Sequence, residues 1–536
     1  MRPRWTAGAL AALVLLAPLK FGVPVVVQHA VPPPGAWLEW LWFSWPNPLL
    51  ILLAFGALIW TVPLVRRRGL LLSLPALFLA TQLATWPGSV NGQASSDTVA
   101  MFAVYVLVCH AAATVPREHF ARVAGGLAAA VVVVCLVALH QYCGGLAATA
   151  AMFPAVSPEV AGKLAARRVF GTLVTPNALA GFIVIAFGPA LAWLWGRRWR
   201  WLALVVAGLM LTCLVLTGSR GGLLALGVAA VAVVLAGRSR RMLGLAGVGL
   251  LVVVGAAVVS GRARFGGQSV AARWDYWQGA ARIIRDHPWR GTGPGTFGSM
   301  YPVYKTAPTE EAQAVHNDFL QIWSDSGVAA FAVFVALWAA GLRAAYRLPR
   351  DPVGLALAAS LTGWVAHGLV DFDLYIPGVA VPAFVLLGTV QGWSAPVGPA
   401  VGRRWGVAAA GVLLAVVFWW KAPALAAAFP YGRARETGDL AAAETAARWQ
   451  PANAHYWATA GDCAWAAGQL DRALEHYRRA AACDPYRAAY RWRWARALWA
   501  AGRRAEAVAM LRRAVELNPT HAGYRRELQA AVSAVR

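Results

Sequence analysis

Three short patterns in this chain could carry chemistry. The first is Thr217-Gly-Ser-Arg220-Gly-Gly-Leu-Leu224, a polar turn between two apolar runs. A guanidinium offers a planar fork of donors that matches phosphate oxygens, and the adjoining glycines let a ligand approach closely. The competing reading is an ordinary loop arginine. The second pattern opens at Arg273 and runs through HPWRGTGPGTF at 287–297 to Tyr301. Arg273, Trp274, Trp277, Ala280, Ala281 and Ile284 share one face of a helix suited to lie along a membrane surface. Three spaced glycines after it are weak evidence for phosphate binding by themselves. The third pattern is His316-Asn317, followed by Asp318, Gln321, Asp325 and Gly327. An imidazole can accept a proton near neutral pH, which makes His316 a candidate general base. Asn317 is explained as well by capping a helix as by touching a substrate. Asp371 and Asp373 add carboxylates at the end of a later apolar run. The candidates for catalysis are therefore His316, Arg220 and Arg273. The candidates for substrate contact are Arg220, Arg273, Asn317, Tyr301, Asp371 and Asp373. No Cys/His cluster has zinc spacing, and neither a metal nor a cofactor is expected.

The elements that must hold these residues are membrane spans. Hydrophobic residues make up 59% of the 536 positions. Hydropathy and length predict about thirteen spans, near 7–27, 47–65, 69–86, 97–115, 120–142, 173–195, 200–217, 221–236, 242–260, 318–342, 352–370, 375–393 and 405–422. Arg2 and Arg4 precede the first, which reads as an uncleaved anchor. With that terminus inside, alternate turns are short and basic: Arg66 to Arg68, Arg117 and Arg122, Arg197 to Arg200, Arg238 to Arg241, Arg343 to Arg350, and Arg403 with Arg404. The opposite face then holds the large loop 261–317, residues 371–374 and everything past about 423, including all three patterns. Arg220 stands on that face, where the charge rule does not call for it. The net charge of +25 suits both cytoplasmic retention of basic turns and attraction to anionic lipid or phosphate. Nothing in it forms a nucleic-acid recognition motif.

The chain changes character at Pro430. Pro451, Pro485 and Pro519 lie 34 apart, the tetratricopeptide period, with small and aromatic positions repeating in phase. Two full repeats and an upstream half-repeat at 436–451 are expected, offering a concave surface suited to a protein partner. Cys463 and Cys483 fall too far apart along one antiparallel helix pair for a disulfide. The expected fold is all-α: a polytopic bundle of about twelve or thirteen transmembrane spans over 1–425, then a repeat solenoid over 430–536.

The order Arg220-x-x-x-Leu224, Arg273, HPWRGTGPGTF and His316-Asn317-x9-Gly327 resembles the O-antigen ligase and polymerase family over about residues 170–395. VDFDLYIP at 370–377 is similar to members that carry C-terminal tetratricopeptide repeats. Ala330 departs from the glycine, threonine or tyrosine often found there in ligases. The resemblance implies a metal-independent, inverting C-type glycosyltransferase in the bacterial inner membrane. Its donor would be a glycan on undecaprenyl pyrophosphate. Its acceptor would be a lipid A-core sugar or a growing glycan, on the periplasmic face. A repeat-unit polymerase and a protein O-glycosyltransferase are the alternative enzymes, and a polysaccharide flippase is the alternative from another class. A transporter is expected to keep its ionisable residues at mid-span, whereas here they crowd one rim.

Overall fold

A computed structural model describes residues 2–31, 33–34, 37–64, 70–146, 167–237, 268–395 and 403–535. Among these residues the chain is helical and forms no strand. The helices are α1 (Arg2–Lys20), α2 (Asn47–Leu58), α3 (Leu70–Thr85), α4 (Gly92–Ala113), α5 (Phe120–His140), α6 (Pro176–Gly196), α7 (Arg200–Thr217) and α8 (Arg220–Gly237). After them come α9 (Gln268–Asp286), α10 (Phe297–Tyr304), α11 (Asp318–Ala345), α12 (Pro352–Gly368), α13 (Pro377–Ser394) and α14 (Arg403–Thr437). The solenoid follows as α15 (Leu440–Trp449), α16 (Ala454–Ala466), α17 (Leu470–Cys483), α18 (Ala488–Ala500), α19 (Arg504–Leu517) and α20 (Ala522–Val535).

Twelve of the thirteen expected spans fall on helices. The one near 242–260, with its basic turn at Arg238 to Arg241, lies outside the described residues. So does the turn at Arg66 to Arg68. Among the described residues six helices are long and apolar enough to cross a membrane. The chain is a multi-pass membrane protein. Leu204, Val205 and Trp419 stand exposed on α7 and α14, as suits side chains facing lipid.

Helix α13 is the axis of the bundle and is buried from Pro377 to Gly392. It packs on α4, α1, α6 and α11. The close approach to α4 needs small residues, and a Cβ on Gly388 or Gly392 would collide with the carbonyls of Cys109 and Ala113. The two ends of the bundle differ in chemistry. At one end Arg117 pairs with Asp351, and Arg122 donates to the carbonyl of Arg4. The polar patterns named above gather at the other end.

Helix α14 runs unbroken through Pro423 and Pro430. A boundary expected at 425–430 thus falls inside one helix, whose last turns pack on α15 as the first helix pair of the solenoid. Cys463 and Cys483 are free thiols.

Candidate active site

The glycine pattern at 291–295 has a structural job. Helix α11 is interrupted at Gly327, whose φ of 78° and ψ of 179° belong almost to glycine alone. A break in a helix leaves backbone groups without intrahelical partners. The loop supplies them: Thr292 and Gly293 amides donate to the carbonyls of Ser324 and Asp325 at 3.2 and 2.7 Å, and Val328 donates to Pro288 at 3.0 Å. The Asp325 carboxylate accepts from Gly295 N, Phe297 N, Gln321 Nε2 and Tyr375 Oη at 3.0, 2.9, 2.8 and 3.0 Å. The loop amides are therefore spent on α11, not on a ligand. This contact locks the segment 287–297 to the bundle and explains why Gly327 accompanies HPWRGTGPGTF.

On that base three separated residues converge. His316 Nδ1 lies 3.2 Å from Asp371 Oδ1, and Arg273 Nη2 lies 3.4 Å from Asp371 Oδ2. Asp371 is 2% exposed, while Arg273 and His316 keep 21% and 24% of their side-chain surface open. Burial alone would raise the Asp371 pKa, but His316 and Arg273 outweigh it and hold the carboxyl below its usual range. The anion fixes the tautomer: Nδ1 must donate, which leaves Nε2 as the basic nitrogen. Tyr276, one turn along α9 from Arg273, stacks on the imidazole at 5.7 Å, and Phe372 meets it edge-on at 4.7 Å. His316 is thus oriented on three sides.

His316 and Phe372 line a cleft of about 250 Å³ together with Arg168, Val174, Glu310 and Gln313. Arg168 had no place among the sequence candidates. Its Nε donates to the Thr217 carbonyl at 2.7 Å and its Nη2 to Asn177 Oδ1 at 3.2 Å. Burial and then the charge of Arg273 lower its pKa, against the opposing pull of Asp371. Arg168 therefore ties the turn before Arg220 to the Arg273 site. The signal available in the sequence was the Arg167-Arg168 pair in a loop on the face where basic residues are not called for. Arg220 is exposed at the start of α8. Beside it, a Cβ on Gly221 would come within 2.8 Å of Val370, next to Asp371. Backbone strain gathers here too, because Arg167, Val174 and His316 have φ of 52°, 56° and 54°. Non-glycine residues hold that conformation only where their surroundings enforce it, and such residues cluster at functional sites.

Beside Arg273, which pairs with Asp371, four further substrate-contact candidates have defined protein partners in this structure. Asn317 caps α11 and accepts from the amides of Phe319 and Leu320, both at 3.0 Å. Tyr301 is buried, with its phenol 2.5 Å from Asp275 Oδ2. Burial first, and then that carboxylate, raise the phenol's pKa, so it stays a donor. Asp373 is fully buried 2.6 Å from His367 Nδ1, and Asp371 is engaged by His316 and Arg273. Asn317 and Tyr301 are thus held by groups of α11 and the loop, Asp373 by His367 of α12, and Asp371 by His316 and Arg273. Among the described residues no group of three or more His, Cys, Asp or Glu side chains could hold a metal ion.

Residues 205–335 match the family model described as O-antigen ligase, and residues 464–532 match a tetratricopeptide repeat. Among curated proteins none matches the chain. The first match includes Arg220, Arg273 and His316, whereas Arg168 and Asp371 lie outside it.

Proposed function

We propose that this chain, with its O-antigen ligase segment, transfers a glycan from undecaprenyl pyrophosphate to a sugar hydroxyl at the periplasmic face of the bacterial inner membrane. One observation carries the reading: His316, oriented by the Asp371 carboxylate that also holds Arg273, lines a cleft together with Arg168. The acceptor oxygen attacks the anomeric carbon. The bond from that carbon to the pyrophosphate oxygen breaks, and the configuration inverts. Nε2 of His316 takes the hydroxyl proton. Negative charge grows on the departing lipid pyrophosphate, where Arg273, Arg168 and Arg220 stabilise it as fixed cations. On this reading no metal or cofactor takes part. The apolar flanks of the bundle suit the polyprenyl chain.

The test is transfer by purified protein in lipid, with donor binding measured alongside. His316→Ala should keep donor affinity and lose about 10²–10⁴-fold in rate. Arg273→Lys keeps charge but not the planar fork, and should lose on the order of 10²-fold. Wild-type transfer by His316→Ala would remove the base from this scheme. The acceptor is a lipid A-core sugar on the ligase reading. Deleting the gene and comparing lipopolysaccharide, exopolysaccharide and glycoproteins separates ligase, polymerase and protein-glycosylating roles, because only one product should change.

A further inference from the structure

The solenoid meets the membrane part along one edge, in phase with its own repeat. The residues just before the repeat prolines are Gln450, Asp484 and Asn518, 34 apart. Three positions later in each repeat come Asn453, Arg487 and His521. Asp484 is buried and its Oδ2 accepts from Asn91 Nδ2 at 3.0 Å and Ser299 Oγ at 3.1 Å. Asn518, also buried, donates through Nδ2 to Glu311 Oε1 at 2.6 Å. Arg487 donates through Nη2 to Gln313 Oε1 at 3.2 Å and leans on Asp484 at 3.5 Å. Tyr486 packs against the cluster built around Tyr276, Phe297 and Tyr301.

The partners of this edge are not incidental. Glu311 and Gln313 lie five and three residues before His316 and line the same cleft. The segment is fastened again at its far end, where Val315 N donates to Gln321 Oε1 at 2.7 Å. His316, with its left-handed φ, follows directly, and on its other side Asn317 is fixed as the cap of α11. A strained residue relaxes unless both sides of it are held.

We propose that the inter-repeat edge of the solenoid is a clamp on residues 311–316, with Arg487 and Asn518 as positioning residues that hold His316 at Asp371. The clamp itself is a statement about the fold, and its kinetic consequence rests on the function proposed above. The two are tested separately. Amide exchange of peptides covering 306–316 in the full-length protein needs no substrate. In Arg487→Ala and Asn518→Ala it should accelerate at least about tenfold, with peptides covering 377–392 unchanged. Unchanged exchange at 306–316 in both variants overturns the clamp. Acceleration throughout the bundle also overturns it, because that marks general destabilisation.

In the transfer assay Arg487→Ala should lower kcat roughly tenfold with KM for the lipid-linked donor unchanged. Gln313→Ala should do the same, and the double variant should lose no more than either alone. Arg487→Lys should recover part of the rate, since it keeps the charge near Asp484. Additive losses, or a loss confined to KM, overturn the positioning role. If exchange accelerates while His316→Ala still transfers normally, the clamp stands and the assignment of His316 as base fails.

Discussion

Replacing Asp371 by asparagine removes one negative charge on which both the Arg273 guanidinium and the Nδ1–H of His316 depend. The carboxylate faces His316 and Arg273 with separate oxygens, at 3.2 and 3.4 Å, and is nearly sealed from water. An amide of the same shape has one acceptor oxygen. If that oxygen faces Nδ1 of His316, its NH2 group points donors at the donors of Arg273; if the amide flips, His316 loses its acceptor. Removing one partner of a buried charged pair typically costs about 3–5 kcal/mol, and the partial exposure of Arg273 brings the expectation to roughly 2–3 kcal/mol. The kinetic loss should be larger than a stability change alone would suggest, because the tautomer of His316 is no longer enforced. In the best-studied histidine–carboxylate systems that loss is about 10⁴-fold. Here about 10²–10⁴-fold is expected, with donor binding reduced less, since Arg168 and Arg220 remain. The assay is single-turnover transfer of a labelled donor in defined lipid, with thermal unfolding followed in parallel. Transfer within about threefold of wild type, in a variant that stays folded, would refute the orienting role of Asp371. The Asp371 pKa is depressed in the folded state, so its contribution is present above its unfolded value near 4 and is lost only as pH falls through and below it. Changes in rate between about pH 5 and 8 should therefore not come from Asp371.

Gly327→Ala should lower thermal stability by at least about 2–3 kcal/mol, because alanine is disfavoured at that φ and ψ and its Cβ would meet the Trp289 carbonyl; Gly8→Ala, in open space, is the control and should be neutral or better. Arg168→Lys should reduce transfer about tenfold or more, since a single ammonium cannot serve Thr217 and Asn177 and still present a fork to phosphate; wild-type kinetics would remove Arg168 from the site. His29 and His455 stack at 3.3 Å in the seam between bundle and solenoid, near Arg435, Arg487 and Arg493. Burial and then Arg487 and Arg435 lower His29 to about 3, while burial, His29 and all three arginines hold His455 well below its usual value. A base with a lowered pKa takes up protons on release, so docking should be at full strength above about pH 6.5 and weaken as pH falls toward 3. Exchange or proteolysis at the seam should increase between pH 7.5 and 5 by an amount equivalent to roughly 1–2 kcal/mol after screening, and His455→Phe should reduce the dependence while His29 retains its own part. Finally, transfer should survive chelator; loss that magnesium or manganese restores would replace the arginine-only account of the leaving group.

The membrane architecture was legible in the sequence because its determinants are local. Span positions follow from runs of apolar residues long enough for a bilayer, and the solenoid follows from prolines at a fixed period. Arg220, Arg273 and His316 could be singled out because polar residues at the end of an apolar run stand out against it. What they do together could not be read this way. Asp371 looked like one of several rim carboxylates, and only the packing of α11 against α9 on one side and α12 and α13 on the other shows it between His316 and Arg273. Asp373, two residues away, points instead into the bundle to His367. The glycine turn was weak evidence for phosphate binding, and only the fold shows that the break in α11 at Gly327 claims its amides. Arg168 entered the site through a loop with no regular spacing to announce it. The repeat period gave no direction to the solenoid edge, and its contacts with Glu311 and Gln313 depend on how α14 carries the repeats back over the loop. Periodicity is a property of neighbouring residues, whereas the partner of a buried charge is chosen by segments far apart in the chain, and only the folded bundle brings those together.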